Sequence, residues 1–155
     1  MNRPATAQAG FTLVELMITL AVLAIISSLS VVSYRQYVRR ANRVDATSAL
    51  LHVSAAQERY YLQHNQYASA DAELADPPPA GLGITGTQQG LYDVSVVAAA
   101  DGAVVGYVAT ATASGGGSQR DDDDCQVFTI DQSGMRGASD ADGATSTAIT
   151  ARCWR

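Results

Sequence analysis

From Phe11 to Val32 the chain is almost unbroken Leu, Val, Ile and Ala. That is about the 20 residues needed to cross ~30 Å of hydrocarbon. Ser27, Ser28, Ser30 and Ser33 are scattered through the end of the run and no small-x-small cleavage pattern closes it, which favours a retained helix over a secretory signal. No Pro or Gly occurs between Phe11 and Asp76. The pattern therefore predicts one helix from Phe11 to about Gln66, apolar over 11–33 and amphipathic over 34–66. In its second part Tyr37, Val44, Leu51, Ala55 and Leu62 form one stripe, read as the face buried beneath a sheet. Ala46, Ala49, Leu50, Val53 and Tyr60 form another, read either as contact with further copies of the chain or as a widening of the buried face.

Periodicity changes after the helix. Residues 67–90 carry three prolines and four glycines and read as a connector without regular structure. LYDVSVVAA at 91–99 and VVGYVATATA at 104–113 alternate as strands around an Asp101-Gly102 turn, which predicts a hairpin. SGGGSQRDDDD reads as a flexible acidic loop facing outward. CQVFTID at 125–131 reads as a third strand, and TSTAITARCW as a fourth.

One carboxylate breaks the apolar run. A charge at the bilayer centre costs ~2.5–3.5 kcal/mol on insertion scales, so Glu15 either lies near the interface or has a partner. Thr12, Glu15, Thr19, Ser30 and Ser33 fall within roughly a 60° arc of an ideal helix. Lipid gives no reason for such a stripe, whereas helix packing in membranes favours small hydroxyl residues.

Charge and cysteines set the remaining bounds. Arg35, Arg39 and Arg43 follow the span at i, i+4 and i+8 with no acid at i±4, so the ladder calls for lipid headgroups, the carboxylates of another subunit, or a solvated face. Arg3 precedes the span and Arg35, Arg39, Arg40 and Arg43 follow it, so arginine counting alone would put the C-terminal part in the cytoplasm. Cys125 and Cys153 point the other way. An even pair beyond a membrane segment suggests a disulfide in an oxidising compartment, with two buried thiols as the other reading.

The stretch GFTLVEL at 10–16, a short polar leader followed by Gly, an aromatic and an acid opening an apolar helix, resembles the processing site of type IV prepilins. The phrases ERYYLQHNQYA, CQVFTIDQSGMR and the final Cys153-Trp154 resemble the group holding PilE-type minor pilins and competence pilins. Ala9 departs from the family, which often has Lys or Arg just before the Gly. The resemblance implies a leader over 1–10, cleavage between Gly10 and Phe11 by a prepilin peptidase, and N-methylation of Phe11. It implies that Glu15 attracts the methylated amine of an adjacent subunit during assembly, which would answer the question that Glu15 raises. The implied fold is α+β, the type IV pilin fold. One long N-terminal helix with a membrane-spanning first half packs on a four-stranded antiparallel sheet, with a disulfide-bounded C-terminal region in 91–155. Implied partners are other pilin subunits, the assembly machinery of the inner membrane and its lipids. Implied localisation is the inner membrane with the C-terminal domain in the periplasm, then an extracellular pilus.

The expected function is a minor pilin supporting pilus assembly, twitching or adhesion. A DNA-uptake pilin and a type II secretion pseudopilin are the alternatives. DNA is disfavoured by charge: residues 44–155 hold five arginines against fourteen acids, a formal −9, and Asp121–Asp124 would repel phosphate. Arg136, Arg152 and Arg155 are the candidate basic spot. Asp140 and Asp142 echo the first half of a calcium loop, but the twelfth-position Glu is missing and Asp-Gly is an ordinary turn. Catalysis finds no support. His52 and His64 stand apart on the helix with no cysteine or histidine to complete a metal site, and no cofactor is expected.

Overall fold

The computed structural model describes residues 10–155, less the side chains at 29, 30 and 32. The expected leader before Gly10 and the place of Ser30 in the polar stripe lie outside the described residues. One long helix, α1 (Leu13–His64), opens the chain. It ends two residues before the expected Gln66, because Asn65 adopts a left-handed φ of 53° while its N–H still bonds the Tyr61 carbonyl at 2.9 Å. Asn tolerates this conformation, which closes a helix without Gly or Pro.

The chain divides by contact into two units, up to Val38 and from Arg39 onward. In the first, the described apolar side chains from Phe11 to Val31 are exposed, and α1 is long and apolar enough to cross a membrane. Thr12 Oγ1 accepts the N–H of Glu15 at 3.2 Å, so the acid sits in the first turn of a capped helix. A carboxylate there is favoured by the helix dipole. The Thr19 and Ser28 hydroxyls donate to the Leu16 and Ile25 carbonyls at 2.9 and 2.8 Å, so both are satisfied within their own helix.

In the second unit the helix packs on a sheet through Ala46, Leu50, Val53, Ala56 and Tyr60, all buried. This reverses the expected assignment of faces. Tyr37, Val44, Leu51 and Leu62, the stripe read as core, are 71%, 59%, 47% and 82% exposed, and Ala55 is exposed too. The physical reason lies in two polar residues: Arg43 and Gln57 are buried on the same face as Leu50 and break its apolar period. Ala46 and Ala56 are buried within that packed face.

The sheet is antiparallel with strands in chain order: β1 (Tyr92–Ala98), β2 (Tyr107–Ala113), β3 (Val127–Asp131) and β4 (Arg136–Ser139). Val96, Ala109 and Ile130 form one cross-strand row and Ala111, Phe128 and Ala138 the next, each alternating large and small across the buried face. The fourth strand is not the expected one. Thr147–Cys153 forms a helix, capped by Ser146, whose Oγ accepts the Ile149 N–H at 3.1 Å. Ser at that position and the alanines that follow favour helix, while the alternation of the segment fits both periods. The actual β4, RGAS, is too short to show a period and is reached through a turn at Gly134, with φ 77°.

The connector is more ordered than expected. It contains a short helix (Asp71–Ala75) and buries Leu74, Leu82 and Ile84 in the core. Gln57 on α1 donates to the Ala68 carbonyl and accepts its N–H, both at 2.8 Å. A Cβ at Gly81 would overlap the Glu73 carbonyl, so only glycine fits there. A disulfide joins Cys125, just before β3, to Cys153 at the end of the last helix.

Candidate functional site

The acidic run is the feature that the fold treats least as expected. Asp122 is buried, and its two carboxylate oxygens accept Nε and Nη2 of Arg43 at 2.7 and 2.8 Å. A bidentate pair of this kind is strong and directional. Burial works against the Arg43 charge, but the hydrogen bond and charge of Asp122, with Asp124 behind it, hold its pKa above the ordinary arginine value. Arg39 pairs with Asp121 at 3.5 Å, and Asp124 sits 3.6 Å from Arg43 and 3.3 Å from Arg152. The arginine ladder is thus relieved by acids of its own chain. Arg35 is exposed. The run is a folded latch on α1 rather than a flexible acidic loop, and three of its four carboxylates, all but Asp123, form ion pairs among the described residues.

Gln119 completes the latch. It is fully buried and donates to the Arg39 carbonyl and the Tyr92 hydroxyl at 3.1 and 2.8 Å, while accepting from Asn42 at 3.2 Å. Burial pushes the Tyr92 phenol up to about 12, with the Gln119 bond pulling the other way, so Tyr92 stays neutral in the core. Asp45, also buried, accepts the Gln89 and Leu91 N–H groups at 3.0 and 3.3 Å and fixes the entry to β1. Sequence reasoning missed Gln119 and Asp45. Gln119 follows a Gly-rich stretch with no period to reveal its burial, and Asp45 within α1 reads as a surface charge.

The candidate basic spot lies around Trp154, beside β3 and β4. Trp154 donates its indole N–H to the Gly137 carbonyl at 2.8 Å and meets Phe128 edge-on. The Arg136 guanidinium stacks over its ring, 5.0 Å from the centroid. Arg136, Arg152 and Arg155 are all exposed. One tryptophan therefore gathers two of the three arginines, Arg136 by stacking and Arg155 by adjacency, and Arg152 lies two residues before it.

The other expected positions stay apart. Glu15 and Phe11 are exposed in the first unit. Asp140 Oδ1 accepts the N–H groups of Asp142 and Ala144 at 3.1 and 2.8 Å, which engages it in a turn. His64 stacks on Tyr60 at 4.0 Å, and His52 is exposed. Among the described residues no group of three or more His, Cys, Asp or Glu side chains could hold a metal ion.

Comparison with known proteins gives this arrangement a context. Residues 6–31 match the prokaryotic N-terminal methylation motif. Residues 32–129 match the family described as type IV minor pilin ComP, DNA uptake sequence receptor. Among curated relatives, the type IV major pilin protein PilE1 of Neisseria gonorrhoeae is 35% identical over 75 residues, 47% of this chain and 46% of its own. Fimbrial protein EcpC of Eikenella corrodens is 33% identical over 95 residues, 61% of this chain and 57% of its own. The chain thus spans about half the length of the curated relatives it matches. A solved type IV pilin from Shewanella oneidensis covers 63% of this chain and 89% of its own at 24% identity, with a TM-score of 0.44.

The family match runs against the expectation that DNA is an unlikely partner. That expectation counted the acids of 121–124 as free and left out Arg39 and Arg43, which pair with them. The unit from Arg39 onward holds eight arginines against fourteen acids, a formal −6 rather than −9. With the methylation motif on its apolar helix and the receptor family matched over most of the rest, this chain is a non-enzymatic type IV pilin and belongs to the type IV minor pilin ComP, DNA uptake sequence receptor, family.

Proposed function

We propose that this minor pilin captures duplex DNA for uptake. The observation that carries the reading is the match of residues 32–129 to a DNA uptake sequence receptor family. Two features support it. The acidic run is drawn onto α1, where Arg39 and Arg43 offset its charge, and Arg152 in the last helix adds to this. Arg136 and Arg155 stand exposed beside Trp154, and among the described residues neither pairs with an Asp or Glu side chain. Phosphate contacts supply most of the affinity and position the duplex, while contacts to base edges select sequence. The role in twitching or adhesion yields first place, because the matched family names a DNA receptor.

Capture takes place on a filament subunit in this reading. The prepilin is anchored in the inner membrane by the first half of α1, with its C-terminal unit in the periplasm, where the disulfide can form. A prepilin peptidase cuts between Gly10 and Phe11, and the Phe11 amine is methylated, as the motif over 6–31 supports. Glu15 then attracts the amine of a neighbouring pilin, and the assembly machinery draws the subunit from lipid into the extracellular pilus. Such a pair is worth ~4 kcal/mol at 4 Å and an effective dielectric of 20, before desolvation is set against it.

The test is a titration of the full mature chain in detergent with a labelled duplex at several salt concentrations, followed by competition with unlabelled duplexes of different sequence. Capture predicts binding that falls linearly in log–log form with salt, by about 0.9 per phosphate contact, and unequal competition among sequences. Absence of binding at low salt overturns it.

A further inference from the structure

Asp124 is shared between two guanidinium groups. It lies 3.6 Å from Arg43 Nη2 and 3.3 Å from Arg152 Nη1. Arg43 is buried and already bidentate to Asp122, so it does not depend on Asp124. Arg152 is about half exposed (51%), and Asp124 is its one anionic partner among the described residues. The covalent frame keeps the pair in register. Asp124 directly precedes Cys125, Arg152 directly precedes Cys153, and the disulfide joins the two cysteines. While the bridge is intact, neither backbone can carry its charge away from the other.

Arg152 is therefore unlike its two neighbours. Arg136 stacks on Trp154 and Arg155 adjoins it, and among the described residues neither pairs with an Asp or Glu side chain. A phosphate that approaches Arg152 meets an oxygen acceptor already in place, and exchanging one exposed ion pair for another gains little. From this geometry we infer that Asp124 is an intramolecular competitor for phosphate, which withholds Arg152 from the DNA-binding patch. The consequence is selectivity. Phosphate affinity is blind to sequence, so masking one arginine lowers background binding and leaves base-edge contacts untouched. Asp124 is thus a positioning residue, acting through Arg152, and the inference rests on the DNA-capture reading above.

The experiment compares the full mature chain in detergent with Asp124→Asn, Arg152→Ala, the double variant Asp124→Asn/Arg152→Ala, and Asp123→Asn, by fluorescence anisotropy on a short labelled duplex across salt. Asp123 is exposed and outside the ion pairs, so its variant measures the long-range effect of losing one negative charge. The expected result is that Asp124→Asn binds about three- to tenfold more tightly at low salt and its salt slope steepens by about 0.9, one phosphate contact. Arg152→Ala alone leaves binding near wild type, and the double variant loses the gain. Arg152→Ala needs no change at Asp124, so it tests the masking even if Asp124→Asn folds poorly. The inference is overturned, with DNA capture intact, if Asp124→Asn gains no more than Asp123→Asn, if the gain survives without Arg152, or if Arg152→Ala alone weakens binding severalfold. If the wild type and every variant fail to bind, the capture reading itself fails.

Discussion

Arg43 and Asp122, 79 positions apart, form a bidentate ion pair in which each side chain is only about one-twentieth exposed. This pair fastens the acidic run to α1. Removing one partner leaves a buried charge without compensation, which costs about 3–5 kcal/mol. Arg43→Ala and Asp122→Ala should each lower the unfolding midpoint steeply. Asp121→Ala, whose pair with Arg39 is exposed, should cost under about 1 kcal/mol. Chemical denaturation of the purified chain distinguishes these outcomes. Equal small effects at all three positions would remove the latch.

The reversal of helix faces predicts a contrast between adjacent residues. Leu50 is fully buried and Leu51 is 47% exposed. Leu50→Ala should destabilise by about 2–5 kcal/mol through lost burial and a cavity. Leu51→Ala should stay within about 0.5 kcal/mol. Similar losses from both would mean that a wider face of the helix packs on the sheet.

Asp131 governs the turn between β3 and β4. Burial raises its pKa, but the Ser133 hydroxyl at 2.6 Å and the Met135 and Ser133 N–H groups at 3.0 and 2.9 Å outweigh that and hold the carboxyl below its ordinary value. A depressed folded pKa stabilises the fold above the unfolded value, ~3.9, and that stability is lost as pH falls through the lower folded value. Asp131→Ala should therefore cost about 1–2 kcal/mol near neutrality. The gap from wild type should narrow as the pH drops below about 4, and unfolding midpoints measured against pH follow it.

The disulfide encloses a 28-residue separation. Closing such a loop contributes about 3.5 kcal/mol in the chain-entropy account. Replacing both cysteines with serine should lower stability by roughly that amount, read from denaturant unfolding of the two proteins side by side.

For the N-terminal motif, processing and assembly should separate cleanly. Gly10→Val should accumulate as uncut precursor in the membrane fraction, whereas Glu15→Ala should be cut normally yet enter surface filaments poorly. Mass measurement of the mature N-terminus and a filament shear assay read the two steps. A mature chain that begins anywhere but Phe11 would remove the donor proposed for Glu15.

Long-period features were legible in the sequence and short polar ones were not. The apolar run, the absence of Pro and Gly, and the alternation of 91–99 and 104–113 predict α1, β1 and β2 closely. Residues 147–153 fit both a strand and a helix, and Ser146 capping decided between them. Buried Arg43 and Gln57 hid the true core face, since a periodic reading counts each as a surface position. The charge argument failed for a related reason. A formal sum gives every carboxylate equal reach, while folding joined Asp122 to Arg43. Arg136, Arg152 and Arg155 were named from the sequence, but their grouping by Trp154 depends on a stacking contact that no spacing discloses.

The clasp that Gln57 makes on Ala68 touches only main-chain atoms. Ala68 itself is fully buried, so the site admits only a small side chain there. The place where the chain leaves the helix is thus set twice over, by two main-chain bonds and by room for a single methyl group.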